Sequence, residues 1–447
     1  MYKSKTEREK KQESEVMSIR CWQFLQGLLL VLNLQMDRRL VKTLLDLVMV
    51  ILMQRHRNNG LLLSELGDQL LGWEHGPAGT KRISNLLHSE DWESGLIEAY
   101  LWKKGDERVT SLLSPKDDVY AIWDESVIEK PESLKADGLC AVRSSKAARL
   151  KRIKPGYFNP PGGRPIFVPG MNWLQILVAG PRGSVTLAHL RWWTTRGEMT
   201  SDKRTEEKQV LEQTAKMWGR DVIHIWDRGF AGAPWLLEVL KHKVRFILRW
   251  KKDYKLIGPD GQTRKAWQIV RGKRSQDHRE IYDTKRRCMR KTGIIVTQVA
   301  LPDLPAQPLW LIATRPGQGR TPWYLLTSDP ILSTDDAWRA VFAYARRWQI
   351  EMSFRFTKSE LAFESPRLLH WEHRKKLLLI ASLAYAFLLS LIQSDHDTLF
   401  DRIIDPFCPR NGKWSREVSS PLYRLRLAIS RLWLSYRPSS LPFLNSG

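Results

Sequence analysis

The chain has 447 residues, 43% hydrophobic and 27% charged, with 72 Lys and Arg against 48 Asp and Glu for a formal net charge of +24. That apolar content excludes wholesale disorder, and the length allows two or three domains. So large a basic excess implies a polyanionic partner, nucleic acid first and a membrane surface as the rival.

The first 115 residues read as a helical region. The opening MYKSKTEREKKQESE is charged and is not followed by a signal-peptide cleavage pattern. Apolar residues recur at helical spacing in LVKTLLDLVMVILM and LLLSELGDQLLG. A Gly/Pro break at Gly76 and Pro77 precedes GTKRISNLLHSEDW. This predicts a helix from near Thr80 with Lys81 and Arg82 in its first turn, either part of a DNA-binding module or an ordinary helix.

From 116 to 250 strands alternate with helices. DVYAIWDES predicts a strand ending on Asp124. A basic run, RSSKAARLKRIK, spans Arg143 to Lys154, and the Pro/Gly-rich linker PGYFNPPGGRP follows. MNWLQILVAG and SVTLAHLRWW, joined by GPRG, predict a hairpin. A polar helix in DKRTEEKQVLEQTAKMWG leads to the strand VIHIWD and Asp227. GFAGAPWLLEVLK opens another helix and VRFILRW forms a further strand, so the whole reads as a mixed α/β core.

Residues 251–330 change to short, basic, β-like pieces, an insertion into that core that ends in WYLLTSDP. Between Lys241 and Ala300 there are 18 Lys and Arg against 5 Asp and Glu, a net of +13. Two such basic clusters flanking acidic residues favour a phosphate-lined groove over a merely solvated face. The second part of the core, 331–370, opens on a helix from about Thr334. The remainder, 371–447, is helical. Its uncharged run of 16 residues, 377–392, is shorter than the ~20 a membrane span needs and reads as a buried helix or a subunit contact. The cysteines (Cys21, Cys140, Cys288, Cys408) have no CxxC or Cys/His zinc spacing and read as reduced thiols in a cytosolic protein. Of the 20 tryptophans, some belong to the core and others suit base stacking.

The chemistry gathers on the helix in YARRWQIEMSFRFTK. Tyr344, Arg347, Glu351 and Lys358 lie three, four and seven residues apart, which aligns them along one helical stripe. The bland alternative is a surface helix with ion pairs. A stripe this polar suits an acidic metal ligand flanked by phosphate-binding groups. Asp124 and Asp227, each after an apolar strand, complete a possible set of three acids, although Asp is also favoured at turns and caps. Three carboxylates brought together repel unless cations neutralise them, and oxygen-only ligands favour Mg²⁺ or Mn²⁺.

The order Tyr, two residues, Arg, three residues, Glu, six residues, Lys resembles the bacterial insertion-sequence transposases of the acidic-triad (DDE) type, in the cut-and-paste, insertion-sequence-four-like group. WDESVIEK around Asp124, with Ser126 and Lys130, looks like the first-acid motif of that family. HIWDRGF around Asp227 is similar to its second-acid motif. The resemblance runs from about Asp118 to Arg367.

It implies an RNase H-like catalytic core with a β-rich insertion before the glutamate, helical N-terminal and C-terminal regions, and Asp124, Asp227 and Glu351 as catalytic metal ligands for two Mg²⁺ ions. It also implies that Trp323, 21 residues before Tyr344, stacks on a base flipped from the transposon end; the alternative is a core tryptophan. Arg347, Lys358 and Tyr344 are then expected to hold phosphates, with Arg228 and Lys130 as further candidates in the groove. The expected partners are terminal inverted repeats, target DNA and a second subunit, without a membrane, in the cytoplasm with the nucleoid. Two rivals stay open: a metal-dependent nuclease on the same core, and a non-catalytic DNA-binding repressor.

Overall fold

The computed structural model describes residues 6–113, 117–133, 135–147, 165–283, 288–317, 321–394, 396–409 and 421–438. The basic run Arg143–Lys154 beyond position 147, and the Pro/Gly-rich linker up to 164, lie outside the described residues.

Five helices come first: α1 (Glu7–Asn33), α2 (Arg38–Met53), α3 (Leu63–Leu71), α4 (Gly76–His88) and α5 (Gly95–Leu113). Thr6 and Glu9 close a capping box on α1, and the Asp37 carboxylate caps α2. Helix α4 starts four residues earlier than the sequence suggested. Gly76 and Pro77 form its first turn, where proline's missing N–H costs nothing. Helices α3 and α4 cross closely: a methyl group on Gly79 would lie 2.3 Å from the Gly67 carbonyl oxygen. Arg82 is turned inward, with Nε donating to Thr43 Oγ1 at 2.8 Å and a guanidinium nitrogen 3.5 Å from Asp46, so it braces α2. Lys81 is exposed.

A mixed sheet of 12 strands follows. Its first part comprises β1 (Val119–Glu129), β2 (Cys140–Arg143), the hairpin of β3 (Phe167–Ala179) and β4 (Thr186–Trp193), helix α6 (Lys203–Trp218), β5 (Val222–Trp226), helix α7 (Ala233–Lys241) and β6 (Arg245–Arg249). Strand β3 is antiparallel to β1 on one side and to β2 and β4 on the other; β1, β5 and β6 are parallel to one another. Along β1, Tyr120, Ile122 and Ile128 face one apolar layer, while Val119, Ala121 and Trp123 face another. The period of two therefore leaves the sheet buried on both faces.

The segment expected as an insertion forms β7 (Lys255–Ile257), β8 (Thr263–Lys265), helix α8 (Ala266–Val270), β9 (Asp277–Asp283), β10 (Cys288–Leu301), β11 (Leu304–Arg315) and β12 (Tyr324–Thr327). The pieces are not all short, since β10 has 14 residues and β11 has 12. They also join the same sheet, because β12 pairs antiparallel with β6 and carries β11 and β10 outward.

The helix expected from Thr334 is two helices, α9 (Thr334–Ala345) and α10 (Trp348–Ser359). Between them the bonds tighten to three-residue steps: Arg347 N–H to the Tyr344 carbonyl at 3.0 Å, and Ile350 N–H to that of Arg347 at 3.1 Å. The four-residue stripe is thereby broken after its first member.

Helix α11 (Trp371–Ser394) has 24 residues, longer than its uncharged run, and is long and apolar enough to cross a membrane by length and composition. Within this fold 89% of its most apolar window is buried, so it serves as a core helix here; α1 passes the same length test with 39% buried. Helix α12 (Leu422–Ser435) packs near α2. All four cysteines are free thiols, with Cys288 exposed and the others buried.

One buried charge cluster ties these regions together. Glu360, 1% exposed, accepts from Arg55 at 2.9 Å and Arg57 at 2.6 Å. Arg426 of α12, 2% exposed, donates to the backbone carbonyls of Glu360 and Ile51, the latter at 2.8 Å. Removing one side of such a cluster strands buried charge. Glu360→Ala is therefore expected to cost about 3–5 kcal/mol in denaturant unfolding, while Lys81→Ala, on the exposed face of α4, leaves the midpoint unchanged.

Candidate active site

The two aspartates meet because parallel strands keep register. Ile122 of β1 stands opposite Ile225 of β5. Two residues further along each chain are Asp124 and Asp227, side by side at the carboxyl end of the parallel strands, where open α/β sheets place their sites. Strand β1 does not end there. It continues to Glu129 against β3, which pairs with it from Tyr120 onward, so Asp124 is a mid-strand residue. Asp227 opens a turn, its carboxylate accepting from the Gly229 N–H.

Glu351 arrives from the first turn of α10. Between it and Asp124 lies Arg347: one guanidinium nitrogen is 3.3 Å from Asp124 Oδ2, and the other donates to Glu351. The planar fork suits two carboxylates at once. The Arg347 side chain is 12% exposed and that of Asp124 18%. Burial, then the Asp227 charge, push the Asp124 carboxyl up to about 7, against the pull of Arg347. Burial opposes the charge on Arg347, but Tyr344, Glu351 and Asp124 more than offset it and raise its pKa.

Other expected groove residues are placed differently. Tyr344 is 2% exposed, packed behind Trp323 with ring centres 4.9 Å apart in an edge arrangement. Lys130 is buried and donates to the backbone carbonyls of Glu364, at 2.8 Å, and Pro366. It holds the chain after α10 rather than lining the groove. Lys358 lies in the last turn of α10 beside Glu364 and Glu129, away from the acids; burial lowers its pKa against the pull of those two carboxylates. Arg228 is exposed next to Asp227 and suits a phosphate. Trp323 is half-buried, and Ser126 sits on β1 opposite Trp173.

Two contributors, the Gln175–Ser353 contact and Arg249, carried no sequence signal. Gln175 stands opposite Asp124 on β3, and its Nε2 donates at 2.7 Å to Ser353 Oγ, two residues past Glu351; both side chains are buried. This contact fixes α10 against β3, the strand paired with the one that carries Asp124. Arg249 ends β6 beside Tyr344. Lys203, at the start of α6, pairs with Glu125 and lies 3.4 Å from Glu207, on the opposite face of the sheet and outside the site.

Among the described residues no three His, Cys, Asp or Glu side chains are already grouped around one point as a metal cluster. The acids nonetheless fit a hard divalent cation: all donors are oxygen, and a cation would reverse the drift of Asp124 toward its neutral form.

Residues 195–387 match the family model of the transposase DDE domain. The match covers less than half of the chain. It takes in Asp227, Trp323, Tyr344, Arg347, Glu351 and Lys358 and begins after Asp124. No curated protein matches the chain. Among solved structures, a piggyBac transposase in a synaptic complex with hairpin DNA is similar at 11% identity and a TM-score of 0.42, covering 92% of this chain and 75% of that one. At that score the likeness carries no argument about function.

If the two aspartates are neighbours, Asp227→Asn removes the charge that raises Asp124. Under chelation, carboxyl carbon NMR should find Asp124 titrating near 7 in the wild type and lower in the variant. An unmoved midpoint means that the carboxylates do not interact.

Proposed function

We propose that the protein is a cut-and-paste DNA transposase of the insertion-sequence-four-like group, with Asp124, Asp227 and Glu351 as its catalytic acids. One observation carries the reading. Acids from β1, from the end of β5 and from α10 converge at the carboxyl end of the parallel strands, in a chain that carries a transposase DDE domain match. The order β4-β3-β1-β5-β6, antiparallel and then parallel, supports an RNase H-like core for 116–250 and 331–370. On this reading 251–330 is the basic insertion, 1–115 a helical region with access to DNA, and 371–447 a region of dimer contacts. The protein acts in the cytoplasm with the nucleoid and has no membrane stage.

Two Mg²⁺ ions, replaceable by Mn²⁺, held by Asp124, Asp227 and Glu351 would supply the Lewis acidity for in-line phosphodiester attack. The chain's own residues orient the reaction. Gln175 and Ser353 hold the Glu351 helix against β3, beside β1. Arg347 keeps Glu351 turned toward Asp124. Arg228 and Arg249 bind phosphates of the scissile strand. Hydrolysis at the terminal repeat frees a 3′ hydroxyl. That hydroxyl attacks the opposite strand to close a hairpin, and after the hairpin opens the freed ends attack target DNA. Trp323, backed edge-on by Tyr344, offers a fixed ring face to a flipped base.

Wild-type protein with Mg²⁺ and a labelled duplex bearing the element's own terminal repeat is expected to cut at the repeat boundary. Glu351→Gln should cut at least about a thousandfold more slowly, ~4 kcal/mol in the barrier, with DNA binding kept. Binding without cleavage by either protein points to a repressor, and cleavage without end joining points to a nuclease. Trp323→Ala should slow hairpin closure more than first-strand nicking, as followed on denaturing gels; equal slowing removes the stacking role.

A further inference from the structure

The backbone ladder that brings the two aspartates level stops short of them. Strands β1 and β5 are in register from Val119 opposite Val222 to Ile122 opposite Ile225, and each aspartate lies two residues beyond. Strand β3 steadies Asp124 from its other side, but Asp227 already opens a turn. Something other than pairing of these two strands therefore has to fix the gap between the carboxylates, which a shared cation requires to within roughly 0.5 Å.

A lysine on the opposite face of the sheet touches both segments. Successive residues of a strand point to opposite faces, so Glu125 turns away from Asp124 and toward α6. Its carboxylate accepts from Lys203, the first residue of α6. The Lys203 ammonium also lies 5.2 Å from the centre of the Phe230 ring. Phe230 closes the Asp227 turn, its N–H donating to the Asp227 carbonyl at 3.2 Å, and it is 1% exposed. We propose that Lys203 is a positioning residue that clamps the strand of the first acid to the turn of the second from behind. The inference rests on the acidic-site reading above and extends it.

The clamp is itself held in place. The Asp202 carboxylate caps α6, accepting from the N–H groups of Arg204 at 2.8 Å and Thr205 at 3.1 Å, which fixes the backbone at Lys203. Glu207, one turn along and fully buried, lies 3.4 Å from the ammonium and accepts from Arg204 at 2.6 Å. The Arg204 guanidinium lies 5.5 Å from the centre of the Trp235 ring, so two neighbouring cations of α6 cover two rings that follow Asp227. Glu125 Oε1 is buried without a hydrogen-bond partner among the described residues. Without the ammonium, that carboxylate is left charged and unpaired, which drives it toward water and loosens β1 where Asp124 sits.

The test compares hydrogen exchange, followed by mass spectrometry on metal-free full-length protein, with Mn²⁺ affinity from electron paramagnetic resonance. Lys203→Met is expected to speed exchange in the segments after Asp124 and after Asp227. It should also weaken Mn²⁺ binding about 10–100-fold, the usual loss when a group behind a metal ligand is removed. Lys203→Arg should restore both, because a guanidinium can pair with a carboxylate and stack on a ring. Lys208→Met, also on α6, breaks an ion pair of 3.4 Å to Glu238 and should change neither. Phe230→Leu keeps every charge and should reproduce the effect if Lys203→Met does not fold. Unchanged exchange in either segment overturns the proposal. So does faster exchange with unchanged Mn²⁺ affinity, which reduces Lys203 to an ordinary ion pair. If the wild type binds no Mn²⁺, the metal reading of the acids fails, and exchange alone decides the clamp.

Discussion

The parallel pairing of β1 with β5 is the constraint on which the site depends. Parallel register brings Asp124 and Asp227 to the same level at the same edge, and Asp124 cannot move without unzipping a strand buried on both faces. The cost is electrostatic. Burial first, and then repulsion between the two carboxylates, drive Asp124 toward its neutral form. The rest of the site answers that repulsion with positive charge: the Arg347 fork between Asp124 and Glu351, and Arg228 beyond Asp227.

Glu351 reaches the same place by another route. Its helix is a separate element after a tightened turn, docked through a buried Gln175–Ser353 hydrogen bond and through Arg347. The end of that helix is anchored in turn by Lys130 beneath it and by the cluster of Glu360 with Arg55, Arg57 and Arg426. Regions more than 300 residues apart in sequence therefore share one rigid support. Buried charge of this kind adds little net stability but penalises alternative packings strongly.

The basic excess is organised around this frame. Strands β9 to β11 extend the sheet beyond β12, on the far side of β6 from the acids. Basic side chains such as Arg290 and Lys291 are thus carried on strands of the sheet rather than on a loose tail.

Composition and motif spacing were enough to name a basic α/β chain with helical ends, the hairpin of β3 and β4, the strands leading to Asp124 and Asp227, and the helical setting of Glu351. Those features are local: strand alternation, turn chemistry and helical period act over a few residues. Tertiary structure decided which face each side chain met. Spacing aligned Tyr344 and Lys358 with Glu351, but a turn at Arg346 and Arg347 and the packing of Trp323 buried the first, and the Glu129–Glu364 neighbourhood claimed the second. Lys130 was a basic residue near an acid until the fold wrapped two carbonyls around it. Gln175 had no local pattern at all, since its role exists only once β3 pairs with β1 and α10 lies across both. Burial and long-range register depend on every element that packs nearby, and no short window of sequence contains that information.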